Sequence, residues 1–475
     1  MRSPVRSDRV PAIVGFVPVL LANLVPLVGV VGFGWEPSTV VVIYTLEVLW
    51  SFPLAGAKAL FAQRPPRTDR ESMYDLSEAI LTGKRGSLQP VGWLPPIYLR
   101  NVPFAFAVAG GAGWFGVFIG VVLGPEIPLV QVASRPEVVV SVAALVIGQL
   151  VEIGRDYIRD GRYETVSPFT VVETPARQAF FLVFLLFAVP AVGEAVGLAV
   201  GAFVVGKLLI EWSAFRATHG SEGRFTAWLS GPDTPAETPD PPQVPDTAPT
   251  AVVSTDDRAV WATAVGHTLT AVVPVYLKPF AIVWLVSIGV LQWSGRSGSA
   301  ATVTLGVGGL FVAALAAKTV AYYSSYGPLE YRRYGDHLVA YDTWLDEPQW
   351  STPVDVLRNV EILGDRLADR LFDSRTVSLT TGWGDGETQR DIGPVDDPDT
   401  LLAAFDLPIR STEFPAVDRR LAAGAAVAAG AVVTLAGLAV VGPWASARTV
   451  LYLLFFSPVI LVVPIGLWRR AASER

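Results

Sequence analysis

The sequence predicts an α-helical integral membrane protein of about ten transmembrane helices, interrupted late in the chain by a small β-rich domain. Three observations carry that reading. Of 475 residues, 51% are hydrophobic and only 17% charged, where a soluble domain carries roughly 25% charged residues. The apolar residues are bunched into runs of about 20, the length that crosses a hydrocarbon core of about 30 Å. From about 328 to 410 the texture changes to alternating apolar and polar residues, the period of a strand with one buried face.

Spans fall near 11–34, 38–60, 103–124, 137–157, 178–193, 195–214, 275–294, 301–323, 419–441 and 447–468. The start, MRSPVRSDRVPAIVGFVPVLLANLVPLVGVVGFGW, is basic and then apolar for too long to be a cleavable signal, and it reads as a retained first span. Orientation follows the Lys/Arg bias of the loops. With Arg2, Arg6 and Arg9 inside, the loops on the same side gather most of the remaining cations, from Arg64 to Arg470. The opposite turns hold only Arg135, Arg296 and Arg448. Both termini are therefore expected in the cytoplasm, in a cell membrane.

Between the sixth and seventh spans lies GPDTPAETPDPPQVPDTAPTAVVSTDDR. Its density of Pro, Asp and Thr leaves little to bury, so a disordered, semi-extended cytoplasmic linker is expected over 217–257. The linker separates a six-helix module, 1–216, from a C-terminal part. That part divides into a helix pair at 258–327, the inserted domain at 328–410 and a second helix pair at 411–475. The loop after the second span contains ESMYDLSEAILTG, which places Met73, Leu76, Ile80 and Leu81 on one face of a short amphipathic helix. It is expected to lie on the inner leaflet.

Within the insert, LEYRRYGDHLVAYDTWLDEPQW reads as antiparallel strands joined at Tyr-Gly-Asp, and DDPDTLLAAFDL as a short terminal helix opened by Asp caps. A small β-barrel or a bent sheet, plugged by that C-terminal helix, accounts for the order. From Leu329 to Leu407 the chain resembles the bacterial pleckstrin-homology-like domain of multi-pass membrane proteins. The likeness rests on strand–strand, STPVDVLRNVEIL, DRLADRLFDSRTVSLTT, strand and helix in that order. The N-terminal part, with NLVPLVGVVGFGW, VVVIYTLEVLW and VVGKLLIEW, is similar to an uncharacterised family of prokaryotic multi-pass membrane proteins. The first resemblance implies a cytoplasmic binding module. A phosphoinositide is not the expected ligand, because the insert holds about twice as many acidic as basic residues and a phosphate site needs Lys or Arg. A protein partner, cytoplasmic or membrane-bound, fits better, with Trp383, Asp385 and Glu387 of GWGDGETQRD as the candidate contact turn.

One carboxylate, Glu47, stands in the middle of the apolar run VVVIYTLEVLWSF. An ionised acid at the bilayer centre costs roughly 2.5–3.5 kcal/mol on insertion scales, so it needs a proton, a cation or a wet cavity. Lys207 of VVGKLLIEW lies at a similar depth, and Asn23 of LANLVP can donate to a carboxylate. Glu211, four residues after Lys207 on the same helical face, competes for it. Glu152 is a further acid toward the inner leaflet. Asn23, Glu47, Glu152, Lys207 and Glu211 are thus the candidate intramembrane polar cluster. It reads as packing glue or as a path for a small solute or ion.

Several classes fall away. Cysteine is absent, so disulfides and thiolate metal sites are excluded, and three histidines (His219, His267, His337) give no metal-binding pattern. No nucleotide loop, HExxH or nucleophile elbow is present, and GVGGL at 306–310 lies inside a span. No cofactor and no enzymatic activity are expected. With 43 Asp+Glu against 36 Lys+Arg, and mostly Arg among the latter, the chain lacks the basic surface that nucleic acid requires. The acid-rich, lysine-poor balance matches a salt-adapted microbe such as a halophilic archaeon. The expectation is therefore a non-enzymatic scaffold or envelope-organising protein, with a small-solute or ion transporter as the alternative.

Overall fold

The computed structural model describes residues 24–26, 28–65, 81, 83–124, 127–192, 201, 204–209, 211–212, 241–293, 295, 300–382, 387–407, 412–414, 416–441 and 447–472. The chain divides into two compact units: Met1–Ser77 with Gln89–Thr238, and Glu78–Leu88 with Pro239–Arg475. Five helices among the described residues are long and apolar enough to cross a membrane, at Pro37–Phe61, Leu99–Leu123, Pro136–Arg159, Val275–Trp293 and Ala300–Tyr326. This is a membrane-associated, mostly helical protein. Of the other expected spans, three fall on the helices Pro168–Val192, Arg419–Val441 and Ala447–Ala472. The first and sixth lie largely outside the described residues.

In the first unit, helix α1 (Pro37–Phe61) starts at a proline, whose fixed φ suits the first turn and whose missing N–H costs nothing there. Around it stand α2 (Val102–Leu123), the short α3 (Leu129–Ala133), α4 (Pro136–Glu152, continuing as a π-turn over Ile153–Arg159) and α5 (Pro168–Val192). One side of α1 places Val40, Tyr44 and Val48 against Ile119 and Leu123 of α2, Leu182 and Leu186 of α5, and Val204. Its other side places Val42 and Ile43 against Val132, Val138, Val142 and Leu145. So 56% of the apolar stretch of α1 is buried, against 17% and 11% in the spans of α2 and α4. The outer helices keep Phe106, Val140, Ile147 and Val151 exposed, surface that only lipid or another apolar partner can cover. The free carbonyls at the end of α1 are met by the buried Asn101 side chain, which donates to Ala59 O (2.9 Å) and Ala62 O (2.7 Å).

The second unit opens with strand β1 (Ala251–Ser254), then α6 (Asp257–His267), α7 (Val273–Trp293) and α8 (Ala300–Tyr326). Six strands follow: β2 (Leu329–Tyr334), β3 (His337–Asp342), β4 (Glu347–Pro353), β5 (Leu357–Ile362), β6 (Arg375–Thr381) and β7 (Thr388–Val395), with α9 (Leu367–Phe372) between β5 and β6. After them come α10 (Pro398–Phe405), α11 (Arg419–Val441) and α12 (Ala447–Ala472). All strand pairs are antiparallel, in two sheets of order β1-β2-β3-β4 and β5-β6-β7.

Two expectations are corrected here. The strands do not close into a barrel. The chain leaves the first sheet at Pro353, which has no N–H to offer a further strand, and turns through Val354–Val356 into the second. The linker expected over 217–257 is ordered at its end, where Ala251–Ser254 pairs with β2. Val253 there faces an apolar core, and that burial outweighs the polar composition around it. The core joins Tyr331, Leu338 and Ala340 of the first sheet with Val377, Leu379, Ile392 and Val395 of the second. Leu401 and Phe405 of α10 close it. Helix α10 starts where Asp397 accepts the Thr400 N–H (3.0 Å), as the run of aspartates predicts. The amphipathic helix expected at 71–83 lies outside the described residues except for Leu81, which is buried, and Gly83.

Candidate functional site

In the first unit α1 carries Glu47 one turn after Tyr44, so both point to the same side as α5 and the helical stretch 204–209. The Lys207 ammonium donates to Glu47 Oε1 at 2.9 Å and to Glu211 Oε1 at 2.7 Å. Gln178 of α5 donates to the same Glu211 oxygen at 3.2 Å. Below the ammonium lies the Tyr44 ring, 5.2 Å away at its centroid, within cation–π range. Lys207 is 1% exposed and Glu47 3%. One ammonium thus serves two carboxylates on two helices, and an amide on a third helix fixes one of them.

The arrangement answers the cost of placing charge in an apolar bundle. Each ion loses its hydration, and attraction plus well-aligned hydrogen bonds must offset that loss. Satisfaction is incomplete: Glu47 Oε2 and Thr45 Oγ1 are buried without a hydrogen-bond partner among the described residues. A carboxylate oxygen in that state is an acceptor for a proton or a small cation.

Of the residues expected in this cluster, the fold brings Glu47, Lys207 and Glu211 together. Glu152 lies elsewhere: its half-exposed side chain faces Lys58 at 3.9 Å. Asn23 lies outside the described residues. Gln178 and Tyr44 were missed; an aromatic ring one helical turn before Glu47 was a visible signal, whereas an amide at the edge of an apolar run reads as the end of a span. In the second unit, Trp383 and Asp385 of the expected contact turn lie outside the described residues, and Glu387 is exposed just before β7.

A cleft of about 250 Å³ opens where α8 meets β2, lined by Thr255, Asp257, Tyr323 and Trp344 among others. Its polar groups are turned on one another. Tyr323 donates to Asp257 (2.9 Å), and the Thr255 hydroxyl is spent on the Gly327 carbonyl (2.8 Å). No group of three or more His, Cys, Asp or Glu side chains suited to a metal ion occurs among the described residues.

Residues 6–227 match one family model, described as a family of unknown function (DUF6498). The match takes in Glu47, Gln178, Lys207 and Glu211 and stops before β1. No curated protein and no solved structure matches the chain.

Proposed function

We propose that this protein is a non-enzymatic scaffold or envelope-organising protein of the cell membrane, whose pleckstrin-homology-like domain holds a protein partner at the cytoplasmic face. The pleckstrin-homology resemblance implies a small strand-rich domain closed by a C-terminal helix, and the strands β2 to β7 followed by α10 support that reading. The observation that carries the reading is how that domain is mounted. Its first strand precedes the helix pair α7–α8 and its other six follow it. Trp468 of α12 donates to Asp365 O (2.7 Å), so a second membrane-length helix is tied to the same domain. A binding surface anchored at both ends is held at fixed height and orientation, which suits organising a partner. The ten-span count rests on the apolar runs, and the inward termini and cytoplasmic domain on the loop charge bias. Capture from native membranes tests the proposal. Tagged full-length protein should retain a discrete partner, and a chain lacking 329–407 should lose it while still inserting. Both coming down alone would defeat the scaffold reading.

A second reading is favoured by Glu47 Oε2, which is buried and unpartnered among the described residues. In it the first unit passes a proton or small cation through the Glu47–Lys207–Glu211 cluster. Reconstituted vesicles then carry a flux that Glu47→Gln abolishes in protein shown to be still folded at the assay temperature. A large drop in melting temperature, with no flux in either form, makes the cluster glue instead.

A further inference from the structure

Residues 78–88 belong to the second unit, although the chain on either side of them belongs to the first. Lys84 sends its ammonium to Asp342 Oδ2 in a pair that is almost wholly buried. Asp342 is prepared for it: Oδ1 accepts the N–H groups of Trp344 (2.9 Å) and Leu345 (3.0 Å), which fixes the carboxylate and leaves Oδ2 facing the lysine. Next in the chain, the Gln349 side chain reads the backbone of Arg85 at two points, accepting from its N–H (2.9 Å) and donating to its C=O (3.2 Å). Gly86 follows at φ +89°, where an added Cβ would meet Leu345 Cβ at 3.1 Å and Glu347 Cγ at 3.0 Å. The positive φ strains any side chain at this position, and an added Cβ would press on both neighbours. Leu81, before this run, is 2% exposed.

We infer that the β3–β4 hairpin is a peptide-recognition site for a Lys-x-Gly segment, and that residues 84–86 of this same chain are its resident ligand. The Asp342 pocket selects the lysine. Gln349 grips the backbone of the next residue through groups common to every residue, and the positive φ beside Leu345 and Glu347 favours glycine after it. A covalently attached ligand is present at high effective concentration, so the segment acts as a latch. It keeps the hairpin filled until something displaces it.

The test uses full-length protein in detergent and a fluorescein-labelled peptide, EAILTGKRGSL, that copies residues 78–88. Hydrogen exchange at the Arg85 amide of the unmodified chain should be slowed at least tenfold relative to the free peptide. Lys84→Met and, independently, Gly86→Val should release the segment. The labelled peptide should then bind these chains at least tenfold more tightly than it binds the unmodified protein, and should lose that binding when its own lysine is replaced by methionine. Free-peptide exchange at Arg85 in the unmodified chain would overturn the latch. So would released chains that ignore the peptide, or peptide binding indifferent to its lysine.

Discussion

Val253 and Tyr331 lie opposite one another in an antiparallel ladder, although α6, α7 and α8 all come between them in the chain. The pairing covers the edge of β2, which would otherwise present open N–H and C=O groups. It also buries Val253 against the core shared by both sheets. Val253→Ala should cost about 2 kcal/mol through lost apolar burial and the space left behind. Exchange should quicken at the Arg333 amide before it does in β6. Thermal melting and amide exchange together check both parts.

Tyr331 itself is fully buried, and its hydroxyl oxygen accepts the Gly393 N–H at 3.0 Å. Phenylalanine keeps the ring and strands the amide. Tyr331→Phe should therefore destabilise the domain by about 1–3 kcal/mol, the cost of a buried donor without a partner. A chemical melt of the full chain, followed by near-ultraviolet dichroism, measures it. No change would mean that water reaches Gly393.

The buried ion cluster of the first unit makes an asymmetric prediction. Lys207 holds two carboxylates and Glu47 holds one ammonium, so Lys207→Met should be worse than Glu47→Gln. Removing one partner of a buried pair costs about 3–5 kcal/mol. The double variant should be less damaged than the two losses added together, because no Glu47 carboxylate remains to be stranded by the loss of the ammonium. A double-mutant cycle of melting temperatures in detergent decides this, and strict additivity would mean that the two groups do not act as a pair.

Asp369 of α9 is fully buried and accepts from the Ser374 hydroxyl at 3.2 Å. Burial raises its pKa above the ordinary carboxylate value, with hydrogen bonds from Thr376 and Ser374 and the charge of Arg366 pulling the other way. An acid raised by folding holds its proton longer in the fold than in the unfolded chain. Stability therefore falls as pH climbs from the ordinary carboxylate value through the folded one, and the loss is complete above that. Asp369→Asn should melt higher than the parent at neutral pH, and the gain should vanish in acid. Melting curves of both chains across pH measure the effect, and a gain that grows on acidification would reverse the assignment.

Five of the expected spans were legible because each is a continuous apolar run, a signal that sits within one stretch of chain. Glu47 and Lys207 were legible because charges within such runs are few and their depths can be compared. Gln178 was not, since an amide at the boundary of a span looks like an end rather than a partner. Nor was β1: AVVS is four residues inside a polar, proline-rich stretch, and its partner strand lies beyond two membrane-length helices. The same distance hid Lys84 from Asp342. Local pattern identifies elements, whereas these contacts are decided by which distant surfaces meet.

The split origin of the first sheet bears on how the protein is made. Strand β1 leaves the ribosome before α7 and α8, and must wait for β2 until both have been threaded. If only one of the pair entered the bilayer, the two strands would emerge on opposite sides and could never join. Where α7 and α8 cross a membrane, completion of the sheet thus records that they have gone in as a pair. A chain that fails this step keeps a bare strand edge and an open core, the marks by which quality-control proteases recognise their clients.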